Sequence, residues 1–153
     1  KKVGRLSAES IGNIKVTYSN LKAVVINKKL APYLIDEYPI LAIAASQAKG
    51  ITKMKGLAEL RFKESDRLKS IHENLLASKI DSSIKDDDLI IKGSSKQLIG
   101  NNKISTHHDH RIAMSFSILS LVCKKPLKVD DVKCIEISYP KFKQDLKSLL
   151  KNA

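Results

Sequence analysis

Tryptophan is absent, and phenylalanine and tyrosine bring the aromatic share to only 5% of 153 residues. Proteins that hold single-stranded nucleic acid stack its bases on aromatic rings, and no such platform or known binding motif is visible. Despite a net charge of +12, nucleic acid is therefore not an expected partner. Cysteine is nearly absent too: Cys123 and Cys134 form a single pair without metal-type spacing. Two cysteines in a chain of this size give no disulfide framework, and they read as small core residues or free thiols. No apolar run approaches the roughly 20 residues of a membrane span, and the start lacks the apolar stretch of a signal peptide. A soluble, cytoplasmic protein with no membrane partner is the expectation. The chain opens on Lys1 rather than Met, which suggests a piece of something longer.

Arginine is the other scarcity. Of 28 basic residues only four are arginine, Arg5, Arg61, Arg67 and Arg111; the rest are lysines spread along the whole chain. Against that background an arginine marks a place where a planar, bidentate guanidinium is needed and a point-charge ammonium does not serve. The hydrophobic share of 42% is enough for a buried core, and the length fits one domain or one piece of a larger one.

Residues 14–18 alternate and residues 21–26 end in a β-branched run, which predicts two short strands with a turn at Ser19-Asn20. After Asp36, a candidate helix cap, residues 39–48 are small and apolar on nearly every side, with Pro39 at the start and Gly50 beyond the end, as in a buried helix. Residues 51–56 alternate like a strand. A helix from Lys63 follows, with Leu68, Ile71, Leu75 and Leu76 at helical spacing. Residues 79–84 and 88–92 read as a hairpin around Lys85-Asp86-Asp87, facing solvent on one side. The polar knot His107-His108-Asp109-His110-Arg111 opens an apolar helix over 112–122, a strand covers 126–130, and an amphipathic helix with Phe142, Leu146, Leu149 and Leu150 inward closes the chain.

The order of strand, buried helix, strand and amphipathic helix occurs twice, offset by about 73 to 76 residues, as from Asp36 to Asp109. A site built at equivalent buried-helix starts brings Asp36 and Asp109-His110-Arg111 toward the turn Arg61-Phe62-Lys63-Glu64-Ser65-Asp66-Arg67. There Lys63 and Arg67 stand four residues apart with Glu64 between them, at a helix start that favours anions. A phosphate or carboxylate ligand with an acid/base group beside it suits this arrangement; so does a solvated, salt-bridged first turn. Asp36 and Asp109 could equally be helix caps. The histidines do not have a recognised zinc spacing, and no metal or cofactor is expected.

Three stretches carry a resemblance: Ile35-Asp36-Glu37-Tyr38-Pro39, the run Gly56-Leu57-Ala58-Glu59-Leu60-Arg61-Phe62-Lys63-Glu64-Ser65-Asp66-Arg67, and Asp109-His110-Arg111-Ile112-Ala113-Met114-Ser115-Phe116. In order and spacing they resemble the 5-enolpyruvylshikimate-3-phosphate synthase family. The resemblance implies an α/β fold of repeated βαβαββ units, the enolpyruvyl transferase fold, with about two of the three units of the C-terminal domain here. Residues 1–153 would then be a partial C-terminal domain, with units at roughly 12–95 and 96–153. It also implies a transferase of the shikimate pathway of aromatic amino acid biosynthesis. Such an enzyme joins phosphoenolpyruvate to shikimate 3-phosphate and releases phosphate through a tetrahedral adduct.

By the same resemblance Asp36 contacts the shikimate hydroxyls and is a candidate base, and Glu64 handles the proton at the phosphoenolpyruvate methylene. Lys63, Arg67 and Arg111 hold the phosphate and carboxylate of phosphoenolpyruvate, and His110 is a neighbouring hydrogen-bonding group. Arg61 is left outside this set, and Tyr38 and Phe116 are expected in the core. Ile137 stands where many members carry a lysine, with Lys133 and Lys141 nearby. The missing N-terminal domain, on the same or another chain, is the expected partner, and the chain alone is expected to be inactive. The alternative is a non-catalytic remnant or a basic module for phosphorylated ligands or nucleic acid.

Overall fold

A computed structural model describes residues 2–6, 9–94 and 96–151. After an antiparallel hairpin of β1 (Lys2–Leu6) and β2 (Glu9–Gly12) come β3 (Val25–Ile26), the short helix α1 (Ala31–Leu34), α2 (Tyr38–Ser46), β4 (Gly50–Met54), α3 (Arg67–Ala77), β5 (Ser82–Lys85) and β6 (Asp88–Gly93). Their sheet has the order β3-β4-β6-β5, with β3 parallel to β4 and the other pairs antiparallel. The second half holds β7 (Leu98–Gly100), β8 (Lys103–Ile104), α4 (His110–Ser120), β9 (Cys123–Lys125), β10 (Lys128–Val129) and α5 (Phe142–Lys151). There β7 pairs with β9 and β8 with β10, both parallel. The amide of Asn101 to the Pro126 carbonyl and that of Lys128 to the Asn102 carbonyl carry the pairing across the break. Each half thus has a strand, an apolar helix, a parallel strand and a second helix.

The two apolar helices α2 and α4 pack on each other, and one core joins the halves. Tyr38, Ala42 and Ile43 of α2 meet Leu68, Ile71 and Leu75 of α3, Leu89 and Ile91 of β6, and Ile112, Phe116 and Leu119 of α4. Each fully buried Leu, Ile or Phe contributes about 1.5–3 kcal/mol relative to exposure. Local chemistry sets the helix ends. Pro39 occupies the first turn of α2, where its missing N–H costs nothing. Asp66 caps α3 by accepting the Lys69 amide at 2.9 Å, and Lys79, left-handed at φ 62°, ends it in the position that Gly or Asn more often takes.

Several sequence expectations are corrected. Residues 14–18 form no strand; Ile14 is 91% exposed and Tyr18 90%. Alternation makes a strand only where an edge is there to pair, and none of the described strands lies beside this segment. The helix expected from Lys63 begins at Arg67 because Asp66 takes the cap; Lys63 itself is extended after a 3₁₀ turn, Ala58–Phe62. Leu76 is exposed because it falls off the stripe of α3 that meets the core, and Leu149 and Leu150 are exposed although they share a face of α5 with the half-buried Phe142 and Leu146. The strand β7 was hidden by its flanking glycine and serine loops. The hairpin β5–β6, the expected strand at β4, and Tyr38 and Phe116 in the core are as expected.

Candidate functional site

Three connections converge at one edge of the core: the turn before α2, the turn before α3 and the turn before α4. Asp36 sits in a 3₁₀ turn, Ile35–Glu37, rather than at the cap of α2; Glu37 is the residue before that helix, and its side chain makes no cap bond. Freed from capping, the Asp36 carboxylate meets all three site cations, Arg67 at 2.8 Å, Lys63 at 3.5 Å and Arg111 at 3.8 Å. Burial pushes its carboxyl pKa up. The Arg67 hydrogen bond and the charges of Arg111, Lys63 and Arg67 outweigh that push and hold it below the ordinary value.

Arg67 is the hub. Its side chain is 1% exposed, and each guanidinium nitrogen meets a different carboxylate: Nε donates to Asp109 at 2.8 Å, one Nη to Asp36, the other to Glu64. Burial alone would lower its pKa, but these partners, Asp109 foremost, raise it above the usual value. A buried guanidinium is tolerable only with such pairing.

Asp109 is fully buried and divides its work between its two oxygens. Oδ1 caps α4, accepting the amides of Arg111 at 2.9 Å and Ile112 at 3.4 Å; Oδ2 accepts Arg67 Nε and the Ser65 hydroxyl at 3.0 Å. Asp109 is thus the cap of α4 and, through its second oxygen, a partner of Arg67. Its backbone closes a turn: the Asp109 amide donates to the Thr106 carbonyl at 3.0 Å across His107 and His108, both left-handed at φ 51° and 60°. That is the signature of a type I′ turn. Arg111, in the first turn of the helix, donates to the Asp36 carbonyl at 2.8 Å and to Glu37 at 2.9 Å.

The arrangement gathers Asp36, Lys63, Glu64, Arg67, Asp109 and Arg111, which are far apart in sequence. His110 opens α4 and is half-buried between Asp109 and Arg111 in sequence. Among the described residues no group of three His, Cys, Asp or Glu side chains is placed to hold a metal ion. Arg61 turns away to Asp66, Asp87 and the Asp86 carbonyl. Sequence reasoning missed Glu37 and Ser65 as members. Asp36-Glu37 as adjacent acids, and a hydroxyl beside Glu64, are the only signals that could have pointed to them. Beside Asp36, Glu37 and Arg111 opens a shallow cavity of about 200 Å³ floored by Ile40, Met114 and Ile118 and closed by Tyr139 and Phe142. Its rim carries two carboxylates and one guanidinium above an apolar floor. Ile137 lies exposed at the end of its 3₁₀ turn.

The family model for EPSP synthase (3-phosphoshikimate 1-carboxyvinyltransferase) matches residues 4–146. A 3-phosphoshikimate 1-carboxyvinyltransferase of Methylorubrum extorquens is 45% identical over 141 residues, 92% of this chain and 31% of that protein. One of Bartonella henselae is 48% identical over 136 residues, 88% of this chain and 30% of that protein. A solved EPSP synthase from Acinetobacter baumannii superposes with a TM-score of 0.77 at 37% identity, over 82% of this chain and 29% of that one. The chain spans about 30% of the length of the relatives it matches.

Proposed function

The chain belongs to the EPSP synthase family, and from that premise we propose that it supplies one wall of the active site of an enolpyruvyl transferase acting on phosphoenolpyruvate and shikimate 3-phosphate. A second domain, on the same or another polypeptide, supplies the other wall, and residues 12–95 and 96–153 are two repeat units of the larger domain. A cytoplasmic location accompanies the reading; no described helix is long and apolar enough to cross a membrane. The observation that carries it is the meeting of three carboxylates, one from each of the turns before α2, α3 and α4, on the buried guanidinium of Arg67, with the further cations Lys63 and Arg111 beside Asp36.

In the reaction, which starts with Glu64 protonated and Asp36 ionised, the 5-hydroxyl oxygen bonds to C2 of phosphoenolpyruvate while its proton passes to Asp36 and C3 takes the proton of Glu64. The product of that step is a tetrahedral adduct. Return of a C3 proton to Glu64 and departure of phosphate with the proton held by Asp36 regenerate the double bond. A positioned carboxylate contributes on the order of 100- to 10,000-fold to such a proton transfer. The cations divide by exposure: the Lys63 and Arg111 side chains are each 29% exposed and meet an incoming dianion first, whereas Arg67 is already filled. Phosphoenolpyruvate reaches Arg67 by taking the place of Glu64 or Asp36 on it, which frees that carboxylate for proton transfer. His110 is proposed as a hydrogen-bonding neighbour.

The test is phosphate release from shikimate 3-phosphate and phosphoenolpyruvate. The chain is assayed alone and then mixed with the N-terminal remainder of the M. extorquens relative. Turnover in the mixture but not with either part supports the reading; no turnover in the mixture contradicts it and leaves a non-catalytic basic module.

A further inference from the structure

Two hydrogen bonds tie the middle of α3 to the connection that presents Asp109 and Arg111. The Asn74 side-chain amide donates to the Ser105 carbonyl at 2.8 Å, and its oxygen accepts the Ser105 amide at 2.9 Å. Ser105 directly follows β8, which stops at Ile104, so the side chain pairs with it as a neighbouring strand would. Asn74 is 4% exposed, and it also donates to the Ser70 carbonyl at 2.9 Å. Asparagine is a poor helix-interior residue, and leucine, with the same branching at Cγ, would bring more apolar burial to the same position. Packing therefore does not explain the amide; its two directional bonds do.

Asn74 lies seven residues, two turns, beyond Arg67 and on the same face of α3. The helix thus grips the connection twice, at Ser105 through Asn74 and at Asp109 through Arg67. Between the grips lie the two left-handed histidines, a conformation that non-glycine residues hold only under constraint. On the far side Asp130 accepts both the amide and the hydroxyl of buried Thr106, at 3.0 and 2.8 Å. We propose that Asn74 is a positioning residue of the site: by fixing the register of residues 105–109 against α3 it delivers the Asp109 carboxylate to Arg67 and the Arg111 guanidinium to Asp36. Its bearing on substrate rests on the function proposed above; its bearing on the Arg67–Asp109 pair does not.

The experiment reads that pair directly, as hydrogen exchange of the Arg67 Nε–H in ¹H–¹⁵N spectra of the 153-residue chain. Asn74→Leu is compared with Ile91→Val, a core change in β6 that touches neither grip. Asn74→Leu should speed Arg67 Nε–H exchange about tenfold relative to the backbone amides of β4 and β6, as loss of a hydrogen-bonded anchor implies; Ile91→Val should not. Asn74→Asp keeps the volume and the acceptor for the Ser105 amide while setting a carboxylate against the Ser105 carbonyl. It should show the same effect and serves if Asn74→Leu does not fold. Arg67 Nε–H exchange in the Asn74 variants no faster than in Ile91→Val overturns the proposal. In the reconstituted enzyme Asn74→Leu should raise the KM for phosphoenolpyruvate about tenfold with a smaller change in kcat. Altered exchange with no turnover in any mixture would sink the functional reading and leave the positioning role standing.

Discussion

Replacing Asp109 by asparagine changes one heavy atom at the point where capping and charge pairing share one side chain. The asparagine oxygen can keep the cap bonds that Oδ1 makes to Arg111 and Ile112, so the cap, worth about 1 kcal/mol, survives. Its amide nitrogen falls where Oδ2 accepted Arg67 Nε and the Ser65 hydroxyl, and sets donor against donor. Removing one partner of a buried ion pair costs about 3–5 kcal/mol. Arg67 retains Asp36 and Glu64, both roughly half exposed, so the low end, about 3 kcal/mol, is expected. Asp109→Ala adds the cap and should cost about 4 kcal/mol. At about 2–4 °C per kcal/mol for a chain of this length, Asp109→Asn lowers Tm by about 6–12 °C and Asp109→Ala by about 8–16 °C. With no tryptophan to follow, urea unfolding of the chain is monitored by far-UV circular dichroism, at unchanged slope. In the double-mutant cycle with Arg67→Met the losses should fall short of additivity by at least about 1.5 kcal/mol. A loss under about 1 kcal/mol for Asp109→Asn, or additive losses, would refute the hub.

Asp36, Asp130 and Asp131 all have carboxyl pKa values held below the ordinary 3.8, Asp36 by its three cations, Asp130 by Thr106 and Asp131 by His108. Lowered folded-state values stabilise the chain above the unfolded value, and that stability is lost as pH falls below about 3.8; unfolding at stepped pH should show the decline, shallower in Asp36→Asn. An equal decline in that variant contradicts the ion-pair assignment. The buried Tyr38 hydroxyl has no hydrogen-bond partner among the described residues, so Tyr38→Phe should leave stability unchanged or raise it by up to about 1–3 kcal/mol; a loss in thermal melting argues against this. At Gly93 an added Cβ would stand 2.0 Å from the Ala48 carbonyl oxygen and 2.4 Å from that of Ala45. Gly93→Ala should therefore cost at least about 1–3 kcal/mol by pushing β6 off the end of α2, and a neutral melt would show that the contact gives way.

The apolar helices, the β5–β6 hairpin and the strand-helix-strand order were legible because periodicity and turn residues act within a few positions. Residues 14–18 were not, since alternation says nothing of whether an edge is available. The start of α3 turned on competition between Asp66 and Lys63 for the helix end, decided by one side-chain bond to Lys69. At the site, residue types were readable but their pairing was not. Arg67 read as a ligand-facing cation; folding surrounds it with three carboxylates from three turns, a fact of tertiary geometry. Asp109 read as a cap or a site residue, and only the folded chain shows that one oxygen caps α4 while the other pairs with Arg67. Asn74 gave no local signal at all, because its partner is the backbone of a residue 31 positions away.

The claim that this chain forms the anion-holding wall of an enolpyruvyl transferase is tested most directly by kcat/KM for phosphoenolpyruvate in the reconstituted enzyme carrying Arg111→Ala. Arg111 is the arginine of the site still open to solvent, and loss of a charge-assisted hydrogen bond worth about 1.5–3 kcal/mol predicts a fall of about 10- to 150-fold with the enzyme still folded. Arg67→Ala should fall at least as far. Unchanged kinetics in both variants would contradict the account.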